Sequence, residues 1–272
     1  MAPLRPQLTL REWQPTEVEL AANDAISLRE SGADVTVDNL GGGRYRVTPS
    51  HFVGSVPLSG VDVVIRPKVE VSRLFFLLGY SKQLRFDDAA MHLAESCDLT
   101  EAIVQAFLGQ VRSTLRRGPL MSYQPREDSM PTIRGRVRFL DQARRRFTMP
   151  LPVEVSYEEF TMDIEENRLL RAALRRAERL RLRNGTIKWR VRESLAALGD
   201  VSDVRYDARS LPAVRIDRLN RHYEQSLELA RIILTFATSD LAHGERRVPS
   251  FIIDMDKVFE DFVFAALAPT VQ

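Results

Sequence analysis

The first chemistry to test for in this sequence is metal-dependent hydrolysis. Nuclease sites of one common type use an acidic residue followed by an acid-x-lysine strand, which holds Mg²⁺ and orients the attacking water. The chain has four lysines, and the residues two positions before them are Arg66, Tyr80, Thr186 and Met255. None of these is acidic, so the acid-x-lysine element does not occur in residues 1–272.

Signatures of other catalytic or nucleotide-binding sites are missing as well. The sequence has no G-x-S-x-G elbow, no H-x-x-x-H pair and no G-x-x-x-x-G-K-[ST] loop. Cys97 is the only cysteine, which excludes an internal disulfide and a cysteine-rich zinc site. A late group of carboxylates surrounds a predicted helix start, where such residues usually interact with the helix dipole: Asp254, Asp256, Glu260 and Asp261. We therefore predict no catalytic residue and no metal ligand in this chain.

Arginine is the residue type that remains for binding. It supplies 35 of the 39 basic residues (39 less four lysines), and its planar fork suits phosphates and carboxylates. A GC-rich genome produces the same bias without any function. One group recurs at helical spacing and could follow phosphates or an acidic partner over about 16 Å: Arg168, Arg171, Arg175 and Arg179. The alternative is a solvated helix face balanced by Glu165, Glu166 and Glu178.

A second arginine group surrounds Gly135, with Arg134 and Arg136 on either side and Arg138 just beyond. We place it on a strand followed by the basic loop that contains Arg144, Arg145 and Arg146. Glycine permits close backbone approach, and arginines two apart point to one face of a strand. The group predicts either a loop that reaches into a partner or a bare surface hairpin.

The helix that must position the first group begins, on sequence grounds, at Asp163. Asp163 followed by Glu166 is the acidic form of a capping box, and Glu165 adds negative charge to the first turn. We predict that this helix extends to about Arg183 and ends at Asn184-Gly185. Capping and periodicity leave Asn167 and Arg168 unexplained, because a helix needs neither residue there.

The remaining pattern predicts an α+β fold with a small β-rich N-terminal domain over residues 1–70. Its signals are a hairpin (34–38 and 44–48), a strand (61–67) and a short helix (17–30). A mostly helical domain follows over residues 71–250, with short strands inserted at 119–160. Its predicted helices are an apolar segment ending near Gly79, one over 98–117 capped by Asp98, one over 189–198 and a long one capped by Asp217. A strand (248–255) then leads into an apolar helix (257–268).

Composition bounds the class of protein. With 44% hydrophobic and 28% charged residues and a net charge of +2, the chain is typical of a globular protein. No run of eighteen apolar residues is present, and the first ten residues lack the apolar segment of a signal peptide. We therefore expect a cytoplasmic protein with no membrane contact.

Several segments together resemble the McrC family, the accessory and nuclease subunits of McrBC modification-dependent restriction systems. Their order and spacing carry the resemblance: IRPKVEVSRLFFLLGY (65–80), LRRGPLMSYQPREDSMPTIRGRVRF (115–139), EEFTMDIEENRLLRAAL (158–174), HYEQSLELARIIL (222–234) and FIIDMDKVFEDFV (251–263).

The resemblance implies a protein that acts with a hexameric AAA+ motor, McrB, which binds GTP and Mg²⁺ and recognises the methylated base. The front part of McrC proteins enters the pore of that ring and stimulates hydrolysis, and the back part is a PD-(D/E)xK nuclease that uses Mg²⁺. No cofactor is then expected in this chain, and DNA is expected in the full complex.

This sequence departs from the family's pattern where cleavage is concerned. We interpret residues 251–272 as the start of a truncated nuclease-type domain, in preference to a helix that folds back onto the core. The chain is therefore expected to be regulatory. The residues expected to contact the partner are Arg134, Gly135, Arg136, Asn167, Arg168 and Arg171. If the chain is instead an arginine-rich DNA-binding module that acts without a motor, the candidate contacts are Arg144, Arg145, Arg146, Arg175 and Arg179.

Overall fold

A computed structural model of the chain describes residues 5–82, 84, 99–146, 151–238 and 250–267. These residues form eight α-helices and three small sheets, so the predicted α+β class is confirmed. Cys97 and the predicted cap Asp98 lie outside the described residues.

The largest sheet has five strands in the order β1-β6-β5-β11-β10. Their bounds are β1 Gln7–Arg11, β5 Phe52–Pro57, β6 Asp62–Arg66, β10 Ala237–Thr238 and β11 Ser250–Asp254. β1 and β6 pair in parallel and the other neighbours are antiparallel. The predicted strand over 61–67 is therefore confirmed, and the sheet joins segments from both halves of the sequence.

The sequence analysis did not identify β5, because Gly54 and Pro57 make this segment look unlike a strand. Gly54 has φ +137°, and a Cβ there would lie 2.0 Å from the carbonyl oxygen of Phe251 on β11. The glycine is thus needed so that β11 can lie against β5.

A second sheet contains β2 (Thr16–Glu19), β4 (Arg44–Pro49) and β3 (Val35–Gly41), in that order. The predicted hairpin is confirmed, since β3 and β4 are antiparallel around a glycine turn in which Gly42 has φ +63°. The predicted helix over 17–30 is wrong in its first part. β2 is a strand, and α1 spans only Ala22–Arg29, because all four residues of β2 pair with β4 and, of these four, only Val18 is buried.

The helical body consists of five helices: α2 (Val71–Lys82), α3 (Leu99–Thr114), α5 (Glu165–Arg179), α6 (Gly185–Ala197) and α7 (Glu224–Phe236). α7 packs against both α3 and α5, and α6 packs against the same two helices. The core that they share is mainly apolar, with Phe107, Leu170 and Ile233 each at most 1% exposed. Short 3₁₀ turns at Leu115–Arg117 and Arg221–Tyr223 follow α3 and precede α7.

Two helix boundaries differ from the predictions because polar residues have other partners. α5 ends at Arg179, and Asn184 caps the start of α6, since its side-chain oxygen accepts from the amides of Thr186 (2.9 Å) and Ile187 (3.4 Å). Asp217 accepts from the amides of Leu219 and Asn220 in a turn, so the α-helix itself begins only at Glu224.

The strand-to-helix pattern near residue 250 is confirmed as β11 followed by α8 (Met255–Leu267). β11 pairs with β5, and α8 packs along α2, where the Phe262 ring lies 5.2 Å from Tyr80 and 6.0 Å from Phe76. Of the two arrangements considered for this helix, the described residues therefore show it packed within the chain. The domain limits at residues 70 and 250 stay predictions.

The third sheet forms the inserted strands. It contains β7 (Ser122–Met130), β9 (Val153–Thr161) and the two-residue β8 (Arg136–Val137), with the helix α4 (Phe139–Arg145) between β8 and β9. The strand that was predicted to carry Arg134, Arg136 and Arg138 is limited to β8, and α4 replaces most of the predicted basic loop. α4 has no buried residue, so it carries no apolar periodicity by which a helix is recognised.

Candidate functional site

Residues 122–161 form a long antiparallel arm on the helical body. β7 and β9 pair at nine positions, from Ser122 opposite Thr161 to Met130 opposite Val153. At about 3.3 Å per residue this ladder is roughly 30 Å long. β7, β8, β9 and α4 pack mainly on one another, and most of β7 is exposed. We call residues 120–123 and 160–168 the root of the arm and residues 131–146 and 151–156 its tip.

A buried carboxylate, Glu154, organises the tip. It is 2% exposed, accepts a hydrogen bond from the Ser129 hydroxyl, and lies 3.2 Å from Arg145 and 3.6 Å from Arg146. Its amide donates to the side-chain oxygen of Gln142 at 2.7 Å. The Ser129 hydrogen bond and the two guanidinium groups lower the pKa of Glu154. Glu154 therefore holds α4 and the end of β9 in one arrangement.

Gly135 brings the chain back across β9. It has φ +71°, and a Cβ there would lie 2.4 Å from the carbonyl oxygen of Ser156. The guanidinium of Arg134 stacks on the Tyr157 ring, 4.1 Å from its centroid, and Arg136 is exposed opposite Ser156. In the predicted Arg-Gly-Arg element, Gly135 thus has a structural role and Arg136 is accessible.

Large apolar side chains that precede and follow β8 in the sequence are exposed. Ile133 is 66% exposed, Phe139 77% and Leu140 74%. Sequence analysis did not single out these three residues, because nothing in an apolar residue's type shows whether it is covered. Together with the exposed Arg136 they form part of the accessible surface of the tip.

At the root, Asp163 and Arg168 form an ion pair. The Nε and Nη2 groups of Arg168 donate to Asp163, at 2.7 and 2.9 Å, and the amide and hydroxyl of Ser202 donate to the same carboxylate at 2.9 and 2.7 Å. Arg126 on β7 adds a contact at 3.7 Å. The Arg168 hydrogen bonds and Ser202 hold the pKa of Asp163 well below its usual range. The predicted capping role of Asp163 is wrong, since Ile164 is the N-cap and makes no side-chain cap.

Asn167 is completely buried beside this pair. Its amide group donates to the carbonyls of Leu120 (2.8 Å) and Met162 (2.7 Å), and its oxygen accepts from the Tyr223 hydroxyl at 2.9 Å. The same hydroxyl accepts from the Leu120 amide at 2.7 Å. Burial raises the pKa of Tyr223 to about 12. Asn167 therefore joins both ends of the arm to α5 and to the start of α7.

The other arginines of the predicted stripe also have partners within the chain. Arg171 donates to the carbonyl of Leu198, and Arg175 lies 3.1 Å from Glu178 and 3.2 Å from Asp203. Among the described residues, only Arg179 of the stripe is exposed without a recorded ion pair. Of the arginines suggested for DNA contact, Arg145 and Arg146 face Glu154, and Arg144 is exposed. Little unpaired charge therefore remains on α5 to follow a phosphate backbone.

Sequence reasoning missed Tyr223, Ser202 and Glu154, although these residues complete the networks at the root and tip. Each is distant in sequence from at least one partner: Ser202 lies 39 residues from Asp163 and Tyr223 56 residues from Asn167. A single sequence has no signal for such pairs, because capping and periodicity rules concern neighbours within a few residues.

The described part of the chain contains no group of three or more histidine, cysteine, aspartate or glutamate residues arranged to hold a metal ion. Within that same part, no helix is both long and apolar enough to cross a membrane.

Comparison with known families supplies the observation that decides the relationship. The model of the family described as "McrBC 5-methylcytosine restriction system component" matches residues 47–272. The chain belongs to this McrBC family. The McrC resemblance seen in the sequence segments is thereby confirmed. Comparison with individual curated proteins finds none that matches.

Solved structures of McrBC assemblies share the fold. A chain of the Thermococcus gammatolerans McrBC complex is similar with a TM-score of 0.64 and 20% identity, over 98% of this chain and 88% of that one. A chain from a half-complex of McrB AAA+ hexamers with bound McrC, from the same organism, has a TM-score of 0.63 and 18% identity, over 97% of this chain and 70% of that one. The likeness in fold thus includes β1, β2 and β3, which precede the family match.

Proposed function

We propose that this protein is the McrC-type regulatory subunit of an McrBC restriction system, and that its arm enters the ring of a hexameric McrB-type AAA+ GTPase. The observation that carries the proposal is the arm itself, a ladder of roughly 30 Å whose tip is exposed at its far end. Family membership and the similar chains from McrB–McrC assemblies support the choice of partner.

The role of the arm in this proposal is to bring a cation to the motor. An arginine supplied in trans to a nucleotide site stabilises charge on the transferred phosphoryl group and raises hydrolysis rates by about 10³–10⁵ in other NTPases. Arg136 and Arg144 at the tip are exposed and have no carboxylate partner among the described residues. They are therefore the arginines best placed to act on the motor's nucleotide site or pore loops.

Asn167 and Arg168, the other partner candidates from the sequence, have a different place in the proposal. Asn167 is buried, and Arg168 makes two hydrogen bonds to Asp163, so contact with a motor would require both networks to open. We assign them the task of fixing the direction of the arm.

DNA cleavage is not part of the proposed role of residues 1–272. The acid-x-lysine element that organises Mg²⁺ in nucleases of this class does not occur among them. The proposed contribution of this region is to stimulate the motor, with GTP and Mg²⁺ bound by the partner. DNA in the complex and a cytoplasmic location remain expectations.

The test measures GTP hydrolysis by a purified McrB-type hexamer with and without this chain. A matched variant replaces residues 131–152 by Asn-Gly, because Met130 and Val153 face each other and a two-residue hairpin joins such a pair. We expect the complete chain to raise the rate on the order of 10-fold or more, and the shortened arm to leave it at the motor's own value. Binding of the complete chain with no change in hydrolysis would contradict the proposal.

A further inference from the structure

We infer that the tip of the arm is a preformed apolar and basic knob that binds a protein pocket with an apolar centre and a carboxylate rim. This inference rests on the proposed function and specifies the chemistry of the surface that the partner must offer. Phe139 and Leu140 are its anchors, with Ile133 beside them in sequence across β8, and Arg136 and Arg144 supply the charge.

The first observation is where the exposed apolar surface lies. Within eight consecutive residues, Ile133, Phe139 and Leu140 are between 66% and 77% exposed. α4, which begins with two of them, has no buried residue at all. An amphipathic helix normally turns such residues towards its own core. Here they are exposed, so burial of these apolar side chains does not stabilise α4 within this chain.

The second observation is that hydrogen bonds and ion pairs within the arm hold the tip in one arrangement. The Glu154 carboxylate holds Arg145, Arg146 and Ser129, and its backbone oxygen accepts from the Arg138 amide at 2.8 Å. Arg138 in turn bridges Glu127 (2.9 Å) and Asp141 (2.5 Å). A surface that is already ordered loses little conformational entropy on binding, and this raises affinity.

The third observation concerns charge. Six arginines lie between residues 131 and 146, and three of them, Arg138, Arg145 and Arg146, are paired with carboxylates of the arm. Arg134 is stacked on Tyr157. Of these six arginines, only Arg136 and Arg144 are exposed with neither an ion pair nor a ring contact among the described residues. Two free cations beside large apolar side chains complement a pocket whose rim carries a few carboxylates.

The combination favours a protein over a nucleic acid. A surface that tracks phosphates keeps its cations unpaired and solvated, whereas the arm neutralises half of its tip arginines internally. Aromatic side chains and arginine are instead enriched at the centres of protein interfaces, and the tip presents Phe139 with two arginines.

The experiment measures binding of the complete chain to an McrB-type hexamer held with a non-hydrolysable GTP analogue. The test variant is Phe139→Ala/Leu140→Ala, and the matched control is Trp189→Ala/Leu219→Ala on the helical body, where the two side chains are 61% and 71% exposed. We expect the test variant to bind on the order of 30-fold more weakly or worse, and the control to bind like the unchanged chain. Circular dichroism checks that both variants are folded.

Two further comparisons distinguish a failure of the proposed function from a failure of this inference alone. If the Asn-Gly variant without residues 131–152 binds as well as the complete chain, both the proposed function and this inference are overturned. If that variant loses binding while Phe139→Ala/Leu140→Ala does not, the inference alone is overturned.

Salt distinguishes the chemistry of the partner. Anchoring by apolar side chains predicts that affinity for the hexamer falls less than about 10-fold between 50 and 200 mM salt, whereas phosphate tracking predicts a loss of about 10³–10⁵. A labelled DNA duplex is the second probe. Binding of this duplex to the isolated chain that is lost in Arg136→Ala/Arg144→Ala would overturn the assignment to a protein pocket.

Discussion

At the root of the arm, Arg168 is held by both oxygens of Asp163 and Asn167 is sealed among three polar groups, whereas at the tip Arg136 and Arg144 project into solvent beside Phe139. Both regions are rich in arginine and acidic residues. The difference is that the root pairs its polar groups across separate segments of the chain, while the tip pairs them within itself and leaves an apolar surface outside. Residue type alone therefore does not distinguish a polar network that stabilises the fold from a surface that contacts a partner.

The largest effect on this comparison is expected from Asn167→Ala at the root. Removing the amide leaves the Tyr223 hydroxyl and the carbonyls of Leu120 and Met162 without their partner in a buried site. We expect a loss of about 4 kcal/mol in the free energy of unfolding, measured in urea. Asn184→Ala, which removes only a helix cap, serves as control and costs about 1 kcal/mol. Equal losses in the two variants would mean that the root is no more tightly coupled than a surface cap.

Asp163→Asn comes next, with an expected loss of about 3 kcal/mol near neutral pH, because Arg168 then loses its charged partner. The pKa of Asp163 is lowered by folding, so the carboxylate stabilises the protein above the ordinary aspartate pKa, about 3.9. That stabilisation is lost as the pH falls from there towards the folded-state pKa. The melting temperatures of the two proteins should therefore converge below about pH 4. A constant difference down to pH 3 would contradict the role of this carboxylate.

Gly135→Ala sharpens the comparison at the tip. The backbone angle and the 2.4 Å approach to the Ser156 carbonyl together predict a cost of about 2 kcal/mol. Gly42→Ala is the matched control, because Gly42 also has a positive φ but faces open space, so only the angle contributes, about 1 kcal/mol. Hydrogen exchange should show faster exchange at β8 in the first variant alone. If both variants behave alike, the close crossing of β9 does not depend on this glycine.

We expect the smallest effect on stability from Arg136→Ala/Arg144→Ala. This variant distinguishes the structural role of the root from the contact role of the tip. Both side chains are exposed, so the free energy of unfolding should change by less than about 0.5 kcal/mol. Stimulation of the partner's GTP hydrolysis should nevertheless fall. Arg168→Ala is the contrasting variant, which should lower stability as well, because Asp163 is left buried without its guanidinium. A stable Arg168 variant with reduced stimulation would reverse the assignment of root and tip.

Local sequence rules predicted the fold class and the β3–β4 hairpin, because turn glycines and strand alternation lie within a few residues of each other. They failed where a local signal had a distant partner. Asp163 stands where a helix cap is expected, yet its carboxylate serves Arg168 and Ser202. Asn184 resembles a helix end and instead begins α6.

The candidate site was predictable only in part for the same reason. The arginines around Gly135 stood out by type and spacing, and the structure leaves Arg136 accessible. Phe139 and Leu140 carried no signal, since exposure of an apolar residue is a property of the packed molecule. Glu154 was equally silent, because its burial depends on α4, a helix without apolar periodicity.

The pairing of β11 with β5 has a consequence for the order in which the protein folds. These strands lie about 200 residues apart in sequence, and contacts of such separation form slowly because a long loop must close first. During synthesis, α3, α5, α6 and α7 are complete before β11 leaves the ribosome. The five-stranded sheet therefore stays incomplete, with the edge of β5 unpaired, until residue 254 has been synthesised. We expect chaperone dependence and aggregation of nascent chains to be governed by this edge, and the arm to have formed before the sheet is closed.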